Sequence, residues 1–251
     1  MSTGLIDPHY VTGTLSYVWP YLKVTLSLTA IAVFFGSLIG IFGAIGEIMG
    51  GWLTRKLIRA YILVCRSLPN LVLLYLVYYG LPILLLALHQ EWEIHLPYEH
   101  ISAYFVAAMG LALHTGAYLT EIFRAAIHSV NAGQVEAAKT LNMPWPVIFR
   151  RVILPQASVF AIPLFANQVL STMKSTSIVF IITVVEILGA AKLFCEGNSR
   201  YFEAYIVVAL LYWGMGTILE NRVSPARAAY GEVYRSHCIK NGTCMGMCHF
   251  S

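Results

Sequence analysis

Midway along an apolar stretch stands the run Lys174-Ser175-Thr176-Ser177, four hydrogen-bonding side chains in a row, with the amides of Asn167 and Gln168 a few residues upstream. An ammonium group beside hydroxyls suits a carboxylate ligand, because charge-assisted hydrogen bonds are stronger than neutral ones and an ammonium offers three donors. Lys174, Ser175, Thr176, Asn167 and Gln168 are therefore candidates to line a pathway for a zwitterionic solute, with a packing or ion-pair role as the alternative for Lys174. Arg66, in Arg66-Ser67-Leu68-Pro69, either faces the same solute or satisfies carbonyls that Pro69 frees. His114 stands in an apolar run, where an interhelical hydrogen bond competes with a ligand role. Glu121 and Arg124 are three apart and can pair on one helical face. The patterns of bond-making chemistry are missing: there is no His-Glu-x-x-His and no serine with an evident histidine partner. No catalytic residue and no metal ligand is assigned. Of the five cysteines, Cys238, Cys244 and Cys248 crowd into the tail with His237 and His249, at a spacing unlike the usual zinc pairs.

These residues sit in an unusual chain. Of 251 residues, 58% are hydrophobic and 11% charged, against roughly 25% charged in ordinary soluble domains, and the mean hydropathy is +0.70. Crossing about 30 Å of hydrocarbon takes around 20 apolar residues in a helix. Such stretches run over residues 20–46, 57–88, 102–128, 156–190 and 201–219. They are too long and too evenly apolar for barrel strands, which leaves an all-α integral membrane protein of about five transmembrane helices. Lys23 is the only Lys or Arg before Arg55, so the N-terminus does not resemble a cleaved signal and the first segment is expected to stay. Arg55, Lys56 and Arg59, then Lys139, Arg150 and Arg151, then Arg222 and Arg227 follow the first, third and fifth spans. The positive-inside rule makes those connectors cytoplasmic, the N-terminus periplasmic and the C-terminus cytoplasmic. The stretch 89–100, with Glu91, Glu93, Glu99 and no Lys or Arg, suits the outer face. The basic residues thus report orientation, and no nucleic-acid partner is inferred.

Two spans are interrupted, at Pro69 and at Lys174–Ser177, and broken helices at membrane depth are tolerated where they line a cavity or are covered by protein. Between the third and fourth spans runs Asn131-Ala132-Gly133-Gln134-Val135-Glu136-Ala137-Ala138-Lys139-Thr140-Leu141-Asn142, continuing to Val152-Ile153-Leu154-Pro155. This segment resembles the EAA loop of ABC permeases: Glu-Ala-Ala, three residues, Gly, nine residues, Ile, one residue, Leu-Pro. Glu136, Ala137, Ala138, Leu154 and Pro155 fall in place. Asn142 replaces the glycine and Val152 the isoleucine. Asparagine follows glycine in readiness to take a left-handed backbone, so the turn is expected to survive. Arg66-Ser67-Leu68-Pro69, Tyr78-Tyr79-Gly80-Leu81-Pro82, Gly116 to Arg124, Asn167-Gln168 and Lys174 to Ser177 are similar to the polar amino-acid permeases, the histidine, glutamine, arginine and opine importers.

The resemblance covers residues 15 to 219 and implies type I ABC importer permease architecture in a bacterial inner membrane. It implies two cytoplasmic ABC ATPase subunits docked on EAA loops, a second permease subunit, identical or paralogous, and a periplasmic substrate-binding protein. The chain lacks a Gly-x-x-x-x-Gly-Lys-Ser/Thr loop, so it binds no cofactor itself, and ATP with Mg is expected on the partner ATPases. An ATPase-independent secondary amino-acid transporter is the rival reading. The domain plan is a periplasmic N-terminus at 1–19, a permease domain at 20–219 with the EAA loop at 131–155, and a divergent, disordered tail at 220–251.

Overall fold

The computed structural model describes the backbone of residues 7–92 and 101–241, and the side chains of residues 7–91 and 101–223. Every regular element among them is helical. Five helical stretches, Pro8–Met49, Asn70–Glu91, Ala103–His128, Trp145–Ile182 and Tyr201–Val223, are long and apolar enough to cross a membrane.

The first stretch joins α1 (Pro8–Val18) to α2 (Leu22–Met49) through a tight turn over Trp19–Tyr21, where Pro20 has no N–H to give to an α-helical ladder. The sequence reading left residues 1–19 outside the bundle. Instead α1 packs on the last elements of the chain, with Val18 buried among Ile187, Ala190, Ala191, Cys195, Ala204 and Val208. Asp7 caps α1 by accepting from the His9 amide, and Arg200 bridges Asp7 at 3.5 Å and Glu203 at 3.2 Å.

The interruption expected at Pro69 is present, and the second span starts later than expected: residues 57–88 fall in two helices, α3 (Trp52–Ser67) and α4 (Asn70–Trp92), divided at Leu68-Pro69. A residue before proline is pushed to extended backbone, and Leu68 is extended. With four basic residues, α3 is amphipathic rather than a span. Of the acidic outer loop, Glu93 and Glu99 lie outside the described residues.

The centre of the bundle is α2 against α5 (Ala103–His128), the most extensively packed helix pair. Membrane helices gain no hydrophobic advantage by associating, so close packing through small residues does the work. Gly36, Gly40 and Gly43 of α2 meet Thr115, Leu119 and Thr120 of α5, and a Cβ at Gly40 would come within 2.7 Å of the Leu119 Cβ. The outer face is apolar: Phe34, Phe42, Ile83 and Trp213 are exposed, as side chains bathed in lipid should be.

After α5 come α6 (Ala132–Thr140), α7 (Trp145–Ile148), a π-helical turn over Phe149–Ile153, and α8 (Leu154–Ser175). The interruption expected near Lys174 is present: α8 tightens into a 3₁₀ stretch, Thr176–Ile182, then Thr183 turns left-handed at φ 68°. The remainder of the expected span 156–190 leaves the helix axis, and α9 (Ile187–Cys195) starts afresh. The last helix, α10 (Tyr201–Asn241), runs through residues assigned from sequence to a disordered tail. That expectation is corrected up to Asn241, and Cys244, Cys248 and His249 lie outside the described residues.

Candidate functional site

The EAA segment forms a short helix set across the ends of three others. Asn131 begins α6, its side chain accepting from the Gly133 amide at 2.8 Å, as an N-cap asparagine does. At the far end the Met143 amide donates to the Ala138 carbonyl at 3.3 Å and the Asn142 amide to the Lys139 carbonyl at 2.9 Å. That pair of bonds is a Schellman closure, which needs a left-handed residue at the position Asn142 occupies. Its φ is 52°, so asparagine takes the conformation for which the family pattern has glycine.

The three residues of the Glu-Ala-Ala run divide by face. Ala138 is buried with Ala126, Ile148, Ile153 and Ala157, fastening α6 to α5, α7 and α8. Glu136 and Ala137 are exposed, and the Glu136 carboxylate has no partner among the described residues. Exposed Leu141, Trp145 and Leu154 extend this surface as an apolar rim. Gln156 of α8 donates to Gln134 of α6 at 2.6 Å, fixing the angle between them, and Pro155 lies in the first turn of α8. Where α5 approaches α6, Arg124 pairs with Glu121 and stands 3.4 Å from Glu47 of α2, which also holds Arg59 of α3 at 3.0 Å. The Glu121–Arg124 pair expected from spacing is therefore one edge of a four-residue charge network across α2, α3 and α5.

The pathway candidates fall into three places. Asn167 and Lys174 are exposed and seven residues apart on α8, and Ser171, missed by the sequence reading, completes one polar stripe between them at helical spacing. Lys174 has no ion pair among the described residues. Gln168 and Thr176 point inward instead. The Gln168 amide reaches the Thr172 hydroxyl at 3.5 Å, Thr172 contacts Thr115 of α5 at 2.9 Å, and Thr176 donates to the Met173 carbonyl at 2.8 Å. Ser175 is half-buried between the two sets. Arg66 and His114 gather elsewhere, both against the Tyr118 ring, with the guanidinium 5.1 Å and the imidazole 5.0 Å from its centroid. The His114 imidazole lies near the Cys65 backbone, and its Nδ1 is buried with no hydrogen-bond partner among the described residues.

One buried group was not singled out. Glu186 is fully enclosed, caps α9 through the Gly189 amide at 2.9 Å, accepts from the Tyr212 hydroxyl at 2.9 Å and lies 3.5 Å from the Thr25 hydroxyl. It ties the broken end of α8 to α2, α9 and α10. The sequence signal was a lone carboxylate closing an apolar run, a costly placement that needs partners.

The geometry is of a bundle of apolar helices with a short helix, α6, that leaves Glu136 and Ala137 exposed, and a polar stripe on α8. Residues 36–221 match the family described as binding-protein-dependent transport system inner membrane component. The chain is 33% identical over 231 residues to the probable amino-acid permease protein YxeN of Bacillus subtilis (strain 168), covering 92% of this chain and 99% of that protein. It is 35% identical over 208 residues to the octopine transport system permease protein OccM of Rhizobium radiobacter, covering 82% of each. Among solved structures it is similar to the crystal structure of an amino acid ABC transporter with histidines, at 30% identity and a TM-score of 0.75, covering 88% of this chain and 97% of that one. An ATPase-independent transporter, the rival reading, finds no support among these relatives. A chain that matches this family over most of its length, with the same helical fold, belongs to the inner membrane components of binding-protein-dependent transport systems, as an ABC permease subunit.

Proposed function

We propose that this permease carries a polar amino acid or an amino-acid derivative such as an opine inward, and that α6 is where cytoplasmic ATPase subunits grip it. The observation that carries the reading is the division of the Glu-Ala-Ala run: Ala138 locks α6 into the bundle while Glu136 and Ala137 face outward. A small side chain beside an unpartnered carboxylate lets another protein's groove approach closely and supplies a charge to meet it. ATP with Mg is bound and hydrolysed on those partners. Their movement displaces α6, and the Gln134–Gln156 bond and the Ala138 cluster pass it to α5 and α8.

The solute class is supported by the relatives named above and by the stripe Asn167, Ser171 and Lys174, whose ammonium suits a carboxylate. The stripe faces outward from a single copy, so a second permease subunit, identical or paralogous, closes the pathway against it, and a periplasmic binding protein delivers the solute. Residues 131–155 are cytoplasmic, the N-terminus periplasmic and the C-terminus cytoplasmic.

Co-purification of the tagged chain from membranes with candidate ATPase subunits tests the docking. Wild type is expected to bring down an ATPase, and Glu136→Ala with Ala137→Glu to lose it or to uncouple its hydrolysis from uptake. An ATPase bound and coupled equally well by the double variant would refute α6 as the grip.

A further inference from the structure

The helix α3 divides into three stripes at helical spacing. Ile58, Ile62 and Cys65 face the bundle, with Ile62 and Cys65 buried. Leu53, Leu57 and Val64 form a second face and are exposed at 60%, 63% and 52%. Trp52, Arg55, Lys56, Arg59 and Arg66 form the third. A cavity of about 540 Å³ opens beside this third stripe, lined by Gly50, Gly51, Trp52, Arg55, Lys56 and Arg59.

The charges in that cavity are arranged against the usual electrostatics of a helix. The start of a helix carries partial positive charge and favours acidic residues, yet the first two turns of α3 hold three cations and no acid, and Gly51 at its N-cap offers no side chain to the free amides. One of the three cations is answered, Arg59, by Glu47 at 3.0 Å. Arg55 donates to the Ile48 carbonyl at 3.1 Å, and the Lys56 ammonium sits 5.1 Å above the Trp52 ring. Neither has a carboxylate partner among the described residues. A cavity with an excess of cations calls for an anion.

We infer that the cavity between the α2–α3 turn and the basic stripe of α3 holds the phosphate headgroup of an anionic phospholipid, whose acyl chains lie on Leu53, Leu57 and Val64. Charge complementarity selects the phosphate, since each Lys or Arg near a membrane surface contributes favourably to binding anionic lipid. The neighbouring exposed apolar stripe selects a lipid over a free ion, because a soluble phosphate would leave it uncovered. Trp52, which lines the cavity, is of the residue type that anchors at the boundary of headgroup and chain.

The test uses the full chain, purified from membranes and placed in nanodiscs of phosphatidylcholine mixed with phosphatidylglycerol, with retained lipid counted by native mass spectrometry. Wild type is expected to keep phosphatidylglycerol over phosphatidylcholine by roughly tenfold, and Arg55→Gln with Lys56→Gln to bring retention near parity. Arg55→Lys with Lys56→Arg, which keeps both charges, should hold the preference. Equal retention of the two lipids by wild type, or an undiminished preference in the glutamine pair, overturns the site. Inorganic phosphate that raises the thermal midpoint of the protein in phosphatidylcholine discs as far as phosphatidylglycerol does overturns the lipid assignment in favour of a free anion. Should the glutamine pair fail to accumulate, the single variants decide: each should lower the preference roughly threefold, and singles that leave it intact overturn the site.

Discussion

At the scale of single residues, α6, the proposed grip for an ATPase, depends on one backbone conformation. Asn142 at φ 52° ends α6, and a β-branched residue there would carry the strain of a left-handed backbone, which costs roughly 1–2 kcal/mol per residue. Asn142→Gly is therefore expected to keep thermal stability and ATPase-coupled uptake, whereas Asn142→Val lowers the thermal midpoint and loosens coupling, both read on the purified complex. This position was legible from sequence because the preference that places asparagine there is local. Glu186 was not legible, because its partners Thr25 and Tyr212 are 161 and 26 residues away and nothing within its own segment signals them. The same holds for Ser171, whose place beside Asn167 and Lys174 shows only once the helix phase is fixed. Gln168 and Thr176 have the right residue types for a pathway, and the same helix phase turns them inward.

At the scale of elements, the α2–α5 seam sets how tightly the bundle closes. A side chain at Gly40 meets the Leu119 Cβ at 2.7 Å and its backbone carbon at 3.1 Å, so the helices must part to admit one. Overpacking of this kind costs about 1–3 kcal/mol. Gly40→Leu is expected to lower the thermal midpoint in detergent, while Gly80→Ala, where an added Cβ meets nothing within 4 Å, leaves it unchanged or higher. The apolar runs located the five spans, since length and hydropathy are properties of contiguous sequence. They misplaced the start of the second, because averaging over 57–88 conceals that α3 is amphipathic, although the proline itself marked the break at Pro69 where the spanning helix begins. They also placed residues 1–19 outside the bundle, because the surface that α1 covers belongs to α9 and α10, at the other end of the chain.

At the scale of the whole molecule, the orientation proposed above puts the two ends of the described chain on opposite sides of the membrane. With the basic connectors inside, a phosphatase reporter that works only in the periplasm should be active when fused after His100 and inactive when fused after Thr140, read as enzyme activity in intact cells. Activity at Thr140 with none at His100 would invert the orientation and remove α6 from reach of an ATPase.

The meeting of α1 with α9 and α10 has a consequence in time. Asp7 finds Arg200 and Glu203 only after nearly two hundred further residues have been synthesised, and Val18 finds Ala204 and Val208 no sooner. During biogenesis α1 is thus synthesised well before the elements it packs against, and it waits for them while the intervening spans insert. Completion of the fifth span is the event that closes the bundle, so a chain arrested before Arg200 presents an orphaned first helix to the membrane's quality-control proteases, and a chain carried past Val208 withdraws it.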